Sequence, residues 1–455
     1  ANNFIFKAAN GTNAWITNLS GNYNDNELSY LYSPCFNLAG LVQPVLSFSH
    51  IFDIEQDYDY TWVEYSTDGK VWKRLGTTGT GTNWYDNSSA DNWRVSKTFW
   101  HVASTDIPPF AGNMRFRFVM SSDGGVNYEG VGIDDIHIFD KASIYTGVPV
   151  TGSIQNVSGS NWVNFYSAGK MIASVNALGQ NLGLTTVDVY PYSGAVRSSN
   201  NEYYLDRNIV VRPAVFPDRN VKVRFYFTDT EANSLLNATG CGTCSTITDA
   251  YELGVTKYSG NADDENGLLD DDITGYFQYI LPANTEIIPY DNGYYAEFIV
   301  SSFSECWLSK GDIKPAASNT CPGSTISLTA NLFGTQYQWQ VNNGSGYTNI
   351  INGPNYAGAD TETLQLISLP TSYTGYKYRC VVDAISGNET TIRFTTIWNG
   401  INNTNWLDPA NWNCNIVPDQ YTDVIIPANI GNKPELNANT SVRSVRVYPN
   451  MQVLI

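Results

Sequence analysis

Only three histidines occur in the chain, His50, His101 and His137, so acid–base chemistry near neutral pH has few possible agents. His50 and His137 sit inside alternating strand patterns, where a packed or surface imidazole is the plain expectation. No His-Glu-x-x-His helix, Gly-x-Ser-x-Gly elbow or Gly-x-x-x-x-Gly-Lys loop is present. Paired carboxylates can cleave glycosides, but acidic residues are too plentiful here to single out a pair. The chain therefore reads as non-catalytic.

Carboxylates in close company repel unless a cation neutralises them, and hard cations take oxygen ligands. Asp134 and Asp135 close one strand-rich stretch, Asp57 and Asp59 lie between two strands, and Glu27 lies in an early loop. Calcium is the ligand expected of this set; the alternative has Asp134 capping a turn and Asp135 making buried hydrogen bonds. A second acidic run, Asp263-Asp264-Glu265-Asn266-Gly267 with Asp270-Asp271-Asp272, lacks the calcium-loop register and reads as a solvated loop.

Trp84, Tyr85 and Trp93 fall in an Asn/Ser/Gly-rich stretch that reads as a loop. Such rings stack on sugars when exposed, which makes them candidate glycan contacts; packing into a core is the competing reading. Seven cysteines are present. Cys241 and Cys244 have redox and zinc readings, but neither a βαβ context nor a second pair is nearby. A local structural disulfide is the simplest assignment. Cys35, Cys306 and Cys414 read as small packed hydrophobes.

Composition frames these residues. The chain has 455 residues, a net charge of -18 and only 15% charged residues, against roughly 25% in an average globular protein. There are 30 Tyr, 19 Phe and 12 Trp. Such a chain suits pleated surfaces and an extracellular setting. Phosphate backbones would repel it, so nucleic acid is not an expected partner. No run of 18 apolar residues exists, so no membrane insertion by a helix is expected. The length implies several domains.

The elements that would position these groups are strands. The run from Val45 to Phe52 reads as one strand, Tyr60 to Ser66 alternates with period two, and the 60–66 and 71–75 runs flank Asp68-Gly69, a hairpin signal. Met114-Arg115-Phe116-Arg117-Phe118 alternates apolar and charged residues. Thr228-x-x-Glu231 is a capping box ahead of one short helix at 232–236. The expected fold class is all-β, with tandem β-sandwich modules followed by the start of a β-solenoid.

Particular motifs resemble known families. Ser33-Pro34, Leu46-Ser47-Phe48, Asp68-Gly69-Lys70-Val71-Trp72, Arg115-Phe116-Arg117-Phe118 and Gly132-Ile133-Asp134-Asp135-Ile136, in that order, resemble MAM-like jelly rolls of secreted bacterial proteins. The resemblance spans residues 1–141 and implies a binding accessory whose Asp-Asp motif and early loops hold a structural calcium. Phe227 to Glu231, Cys241-Gly242-Thr243-Cys244 and Ser302 to Leu308, within 142–312, look like a module of large Bacteroidota surface proteins. That resemblance implies export by the type IX secretion system, with secretion and surface-attachment machinery as partners.

Residues 313–396 carry an immunoglobulin-like order of Cys321, Trp339, Tyr378 and Cys380. The resemblance implies a Cys321–Cys380 bridge, whose loop of 59 residues (380 − 321) would contribute roughly 4 kcal/mol. Residues 397–455, with Trp398, Trp406 and Trp412, resemble the Trp-rich lead-in to a parallel β-helix. Asp423 and Ser444 stand 21 residues apart (444 − 423), near one rung. The chain is expected to be a fragment of something longer, acting in adhesion or surface display. Accessory domains of a secreted protease or glycosidase, or a carbohydrate-binding module, are the alternatives.

Overall fold

A computed structural model describes residues 2–259, 266–269, 276–313, 317–330, 332–387, 389–427, 430–448 and 451–454. The acidic run from Asp263 to Asp272 lies outside them except for residues 266–269. The described residues fall into two compact units: one up to Val255 with 266–269 and Leu281–Ile313, the other holding 256–259, 276–280 and residues from 317 onward. Both are built from β-sheets, as the composition predicts, with one α-helix among the described residues.

The first unit begins with a sandwich of nine strands: β1 (Trp15–Ile16), β2 (Leu28–Asn37), β3 (Pro44–Asp53), β4 (Tyr60–Ser66), β5 (Lys73–Arg74), β6 (Gly81–Thr82), β7 (Lys97–Asp106), β8 (Asn113–Ser121) and β9 (Gly130–Asp140). One sheet runs β1-β9-β3-β7-β6 and the other β2-β8-β4-β5. Asp68-Gly69 turns β4 into β5. Gly69 takes φ +69°, which glycine adopts without strain, and the Asp68 carboxylate accepts the Lys70 and Val71 amides at 2.8 and 2.9 Å.

The pleat sends Leu46, Phe48 and Phe52 of β3 into the sandwich core with Val63, Phe116 and Phe118. The opposite face of β3 carries Ser47 and Ser49, also buried. Small residues there let the second half of the unit pack closely: the Ser49 hydroxyl lies 2.5 Å from that of Tyr251, and the Tyr294 hydroxyl accepts the Val102 amide at 2.9 Å. Phe139 of β9 stacks on Tyr290, ring centroids 4.3 Å apart. Residues 1–141 and 142–312, expected as separate modules, thus contribute to a single compact unit.

That second half has a sheet ordered Trp162–Ser167, Lys170–Asn176, Val221–Thr228, Gly293–Val300, Thr285–Tyr290. Another sheet includes, in order, Val150–Ser158, Asn181–Pro191, Glu202–Pro213 and Glu305–Ser309. The helix α1 (Asp229–Leu236) starts at the expected capping box: Thr228 Oγ accepts the Glu231 amide at 3.2 Å, and Glu231 accepts the Thr228 amide at 2.8 Å. Cys241 and Cys244 are disulfide-bonded.

In the second unit, one sheet carries Tyr347–Asn349, Tyr337–Asn342, Lys377–Val382, Thr390–Ile397, Thr422–Ile426 and Ser444–Val447 in that order. The last three strands are parallel, with Phe394 opposite Thr422 at an offset of 28 residues (422 − 394) and Asp423 opposite Ser444, so the 21-residue offset is the register of the last pair alone. Trp398, Trp406 and Trp412 form a buried cluster with Val424 and Ile426. The expected Cys321–Cys380 bridge is absent: Cys321 is bonded to Cys414, and Cys380 is a free, buried thiol. The reason is sheet order. Trp339 stands opposite Cys380 in the register, whereas Ala317–Thr320 runs parallel to Thr390–Ile397 with Thr320 opposite Phe394, and Cys414 Sγ lies 3.5 Å from the Thr395 carbonyl, so Cys321 and Cys414 meet with Cα atoms 5.4 Å apart. Cys414 is therefore not the packed hydrophobe expected. The Tyr378 hydroxyl meets that of Tyr356 at 3.2 Å.

Candidate binding surface

The most developed polar–aromatic arrangement lies on the solvent side of the β2-β8-β4-β5 sheet. Alternation sends Tyr30 and Tyr32 of β2, Arg115 and Arg117 of β8, and Trp62 and Glu64 of β4 to the same face. The register aligns Tyr32, Arg117, Glu64 and Arg74 in one row across all four strands, and Tyr30, Val119 and Trp62 in the next. Arg117 is the centre. Its guanidinium carbon sits 4.4 Å from the ring centroids of both Tyr30 and Trp72, and its Nε and Nη2 each reach Glu64 Oε2 at 2.5 Å. Trp62 Nε1 donates to Glu64 Oε1 at 2.9 Å, and Arg74 lies 4.4 Å over the Trp62 ring. Burial disfavours the Arg117 charge, but the Tyr32 and Glu64 contacts outweigh it and raise its pKa.

The rings remain open to water above this ladder, Tyr30 at 40% and Tyr32 at 45% exposure. Arg115 lies 5.6 Å from the Tyr32 ring and uses its Nε on the Ser33 carbonyl at 2.8 Å. A cleft of 240 Å³ opens beside β2, and Tyr30 and Val119 line both cleft and face. The same ring–guanidinium–ring device recurs at Arg224, 3.9 Å from Trp162 and 4.4 Å from Tyr295, with Glu297 bonded at 2.9 Å. There Tyr295 is buried, so that copy is a packing element.

The aromatic residues singled out as glycan contacts lie elsewhere. Trp84, Tyr85 and Trp93 are buried at 1%, 6% and 3% exposure, within the sandwich core. Their segment lacks regular structure, yet it folds back over the sheet edge: Trp93 pairs with Thr61, Tyr85 Oη accepts the Val63 amide at 3.1 Å, and Trp84 Nε1 donates to the Leu75 carbonyl at 3.1 Å. Loop composition correctly signals backbone irregularity but says nothing of where the side chains go. The period-two spacing of Tyr30 with Tyr32 and of Arg115 with Arg117 was the signal for the exposed face.

The five proposed cation ligands do not converge. Asp134 accepts the Ala9 and Asn10 amides at 3.1 and 3.3 Å, and its other oxygen takes the Asp135 amide at 2.9 Å. Asp135 accepts from Asn10 Nδ2 at 2.6 Å and Ser49 Oγ at 3.1 Å. Burial first, then the neighbouring Asp134 charge, lift Asp135 to about 6. This pair clasps the N-terminal segment, which is the hydrogen-bonding alternative. Glu129 does the same further back, accepting the Phe4 and Ile5 amides at 2.9 and 2.8 Å. Exposed Asp57 pairs with Arg94 at 2.8 Å, and Glu27 accepts the Asn24 amide at 2.9 Å.

Asp59 instead joins Glu55 and Asp123, with one oxygen of each within 4.8 Å of the others. Glu55 and Asp59 lie in the loop between β3 and β4, and Asp123 in the loop after β8. Asp59 also accepts from the Tyr23 hydroxyl and, at 2.9 Å, from the Asp123 amide. Their all-oxygen chemistry fits a hard cation, and three carboxylates would fill part of a shell of about six to eight oxygens.

His50 and His101 face each other across β3 and β7, ring centroids 5.5 Å apart, and are fully buried among Phe52 and Trp93. Burial, and secondarily Lys97, push His50 down to about 3, so it is neutral in the working range. His137 is half-buried and likewise lowered by burial.

No known family pattern matches the chain. Among characterised proteins, Bacillopeptidase F of Bacillus subtilis (strain 168) is 27% identical over 139 residues. That stretch is 30% of the present chain and 9% of the relative. No described helix is long and apolar enough to cross a membrane. The two disulfides fit a secreted protein.

Proposed function

We propose that this chain is the binding and display portion of a larger secreted protein, acting in adhesion at the cell surface and performing no catalysis itself. The observation that supports this reading is the exposed pair Tyr30 and Tyr32, held on the outer face of the sheet by half-buried Arg117, Trp72 and Trp62. Aromatic faces held by a stacked guanidinium are pre-organised, so a ligand meets them at little entropic cost. Export by the type IX system rests on the resemblance of residues 227–231, 241–244 and 302–308 to Bacteroidota surface proteins. The parallel ladder at 390–397, 422–426 and 444–447 supports reading the last segment as first rungs of a solenoid. Beads carrying the full chain should be retained under flow on polysaccharide-coated surfaces. Retention no greater than that of bare beads on every surface overturns the reading.

Calcium belongs to the same proposal, as a structural cation at the Glu55, Asp59 and Asp123 corner. Chelation should lower the melting temperature, and Asp123→Asn should abolish the response; an unchanged melting curve removes calcium from the account.

A second reading, accessory domains beside a protease, is favoured by the similarity to Bacillopeptidase F. It requires a peptidase domain elsewhere in the precursor. Deleting these modules should then slow cleavage of surface-bound substrate and spare that of soluble substrate.

A further inference from the structure

The chain carries a net charge of -18 from 43 acidic and 25 basic residues, so a face dominated by arginine runs against the composition. The outer face of β2-β8-β4-β5 is such a place: Arg74, Arg115 and Arg117 share it with a lone carboxylate from the sheet strands, Glu64. Glu64 is spent on Arg117, which it binds through two nitrogens, and on Trp62. Arg115 is different. Only its Nε is used, on the Ser33 carbonyl, and its Nη1 and Nη2 make no hydrogen bond among the described residues. They lie half-exposed beside the Tyr32 ring.

We propose that this face binds acidic polysaccharide, with the Arg115 guanidinium taking a uronate carboxylate and the Tyr30 and Tyr32 rings stacking on consecutive sugars. The assignment rests on the display reading above and names its ligand class. Each part of the chemistry has a counterpart on the face. A guanidinium fork presents two parallel N–H groups to a planar carboxylate, which an ammonium does not. Tyr30 and Tyr32 project from the same strand two residues apart, with ring centroids 6.0 Å apart and an interplanar angle of 32°. They offer successive shallow platforms along a chain, and exposed ring faces suit the C–H side of a pyranose. The cleft adjoining Tyr30 opens between β2 and the β1-β9 edge of the facing sheet. A neutral glycan would leave the unused Arg115 nitrogens without a partner of opposite charge. An acidic peptide would satisfy Arg115 but would not exploit two sequential stacking platforms.

Affinity electrophoresis of the full chain through gels holding polygalacturonate, or neutral dextran at the same mass, tests this. Polygalacturonate should retard the chain and dextran should not, and added salt should weaken the retardation. Arg115→Gln and Tyr32→Ala should each weaken binding roughly tenfold, because a charge-assisted contact or a stacking platform is lost. Both variants should still unfold in a cooperative transition, with a melting temperature lowered only by loss of the Ser33 contact or of the Tyr32 ring packing, so the protein remains folded at the temperature where binding is read. Equal retardation in dextran, or Arg115→Gln binding as the parent does, overturns the assignment. Absence of retardation in polygalacturonate overturns it too. If beads bearing the chain are nevertheless retained on other surfaces, only the ligand class falls; if they are retained on none, the display reading falls with it.

Discussion

Single residues in this protein show how burial redirects polar chemistry. Asp135 was a plausible cation ligand by type, yet its contacts are Asn10, Ser49 and the Asp134 next to it, and its carboxyl is pushed up to about 6. The folded state therefore holds this proton more tightly than the unfolded state, whose value is 3.8. Its ionisation costs nothing below pH 3.8 and costs stability fully above pH 6. Asp135→Asn should raise stability at pH 8 by on the order of 1–2 kcal/mol, with the gain vanishing near pH 3.5. Asn also tolerates the left-handed φ of +47° found there. Denaturant midpoints at the two pH values check this. His50 works in the opposite sense. Its folded pKa of about 3 lies below the usual 6.5, so the stability it contributes is complete above pH 6.5 and is lost as pH falls towards 3. His50→Phe should flatten the acid limb of the unfolding profile between pH 6 and 4. Should the limb keep its slope, other groups drive acid unfolding.

At the scale of elements, the pleat explains both what was legible and what was not. Alternation in 60–66 and 114–120 announced half-buried strands, and Asp68-Gly69 and Thr228-x-x-Glu231 announced a turn and a helix start that form as expected. The same alternation specifies two faces without saying which neighbour covers each. Ser47 and Ser49 are buried because a second sheet system packs over them, whereas Tyr30 and Tyr32 stay exposed because nothing described covers that face of β2. Trp84, Tyr85 and Trp93 read as loop residues and are core residues for a related reason: an irregular segment still buries large rings when it crosses a sheet edge. The Arg117 ladder is a test of element rigidity. Lysine lacks the planar fork that fits between Tyr30 and Trp72, so Arg117→Lys should cost about 1–2 kcal/mol. A denaturation midpoint equal to the parent's would show the stack to be energetically idle.

For the molecule as a whole, two units with their own cores stand where four modules were expected. The Cys321–Cys414 bridge lies within the second unit and spans 93 residues, which by loop entropy contributes about 4–5 kcal/mol. Non-reducing peptide mapping should recover Cys321 joined to Cys414, with Cys380 alkylated only after unfolding. Reduction should lower one calorimetric transition far more than the other, because Cys241–Cys244 closes a separation of only 3 residues. The sequence by itself determined the all-β class, the local Cys241–Cys244 pair and the α1 cap, since each depends on composition or on residues near in the chain. Only the tertiary structure decided that Asp59 meets Glu55 and Asp123, that Cys321 meets Cys414, and that Arg117 lies between Tyr30 and Trp72. Those meetings are set by sheet order and register between distant segments, and a local pattern of residue types carries no information about which distant strand becomes the neighbour.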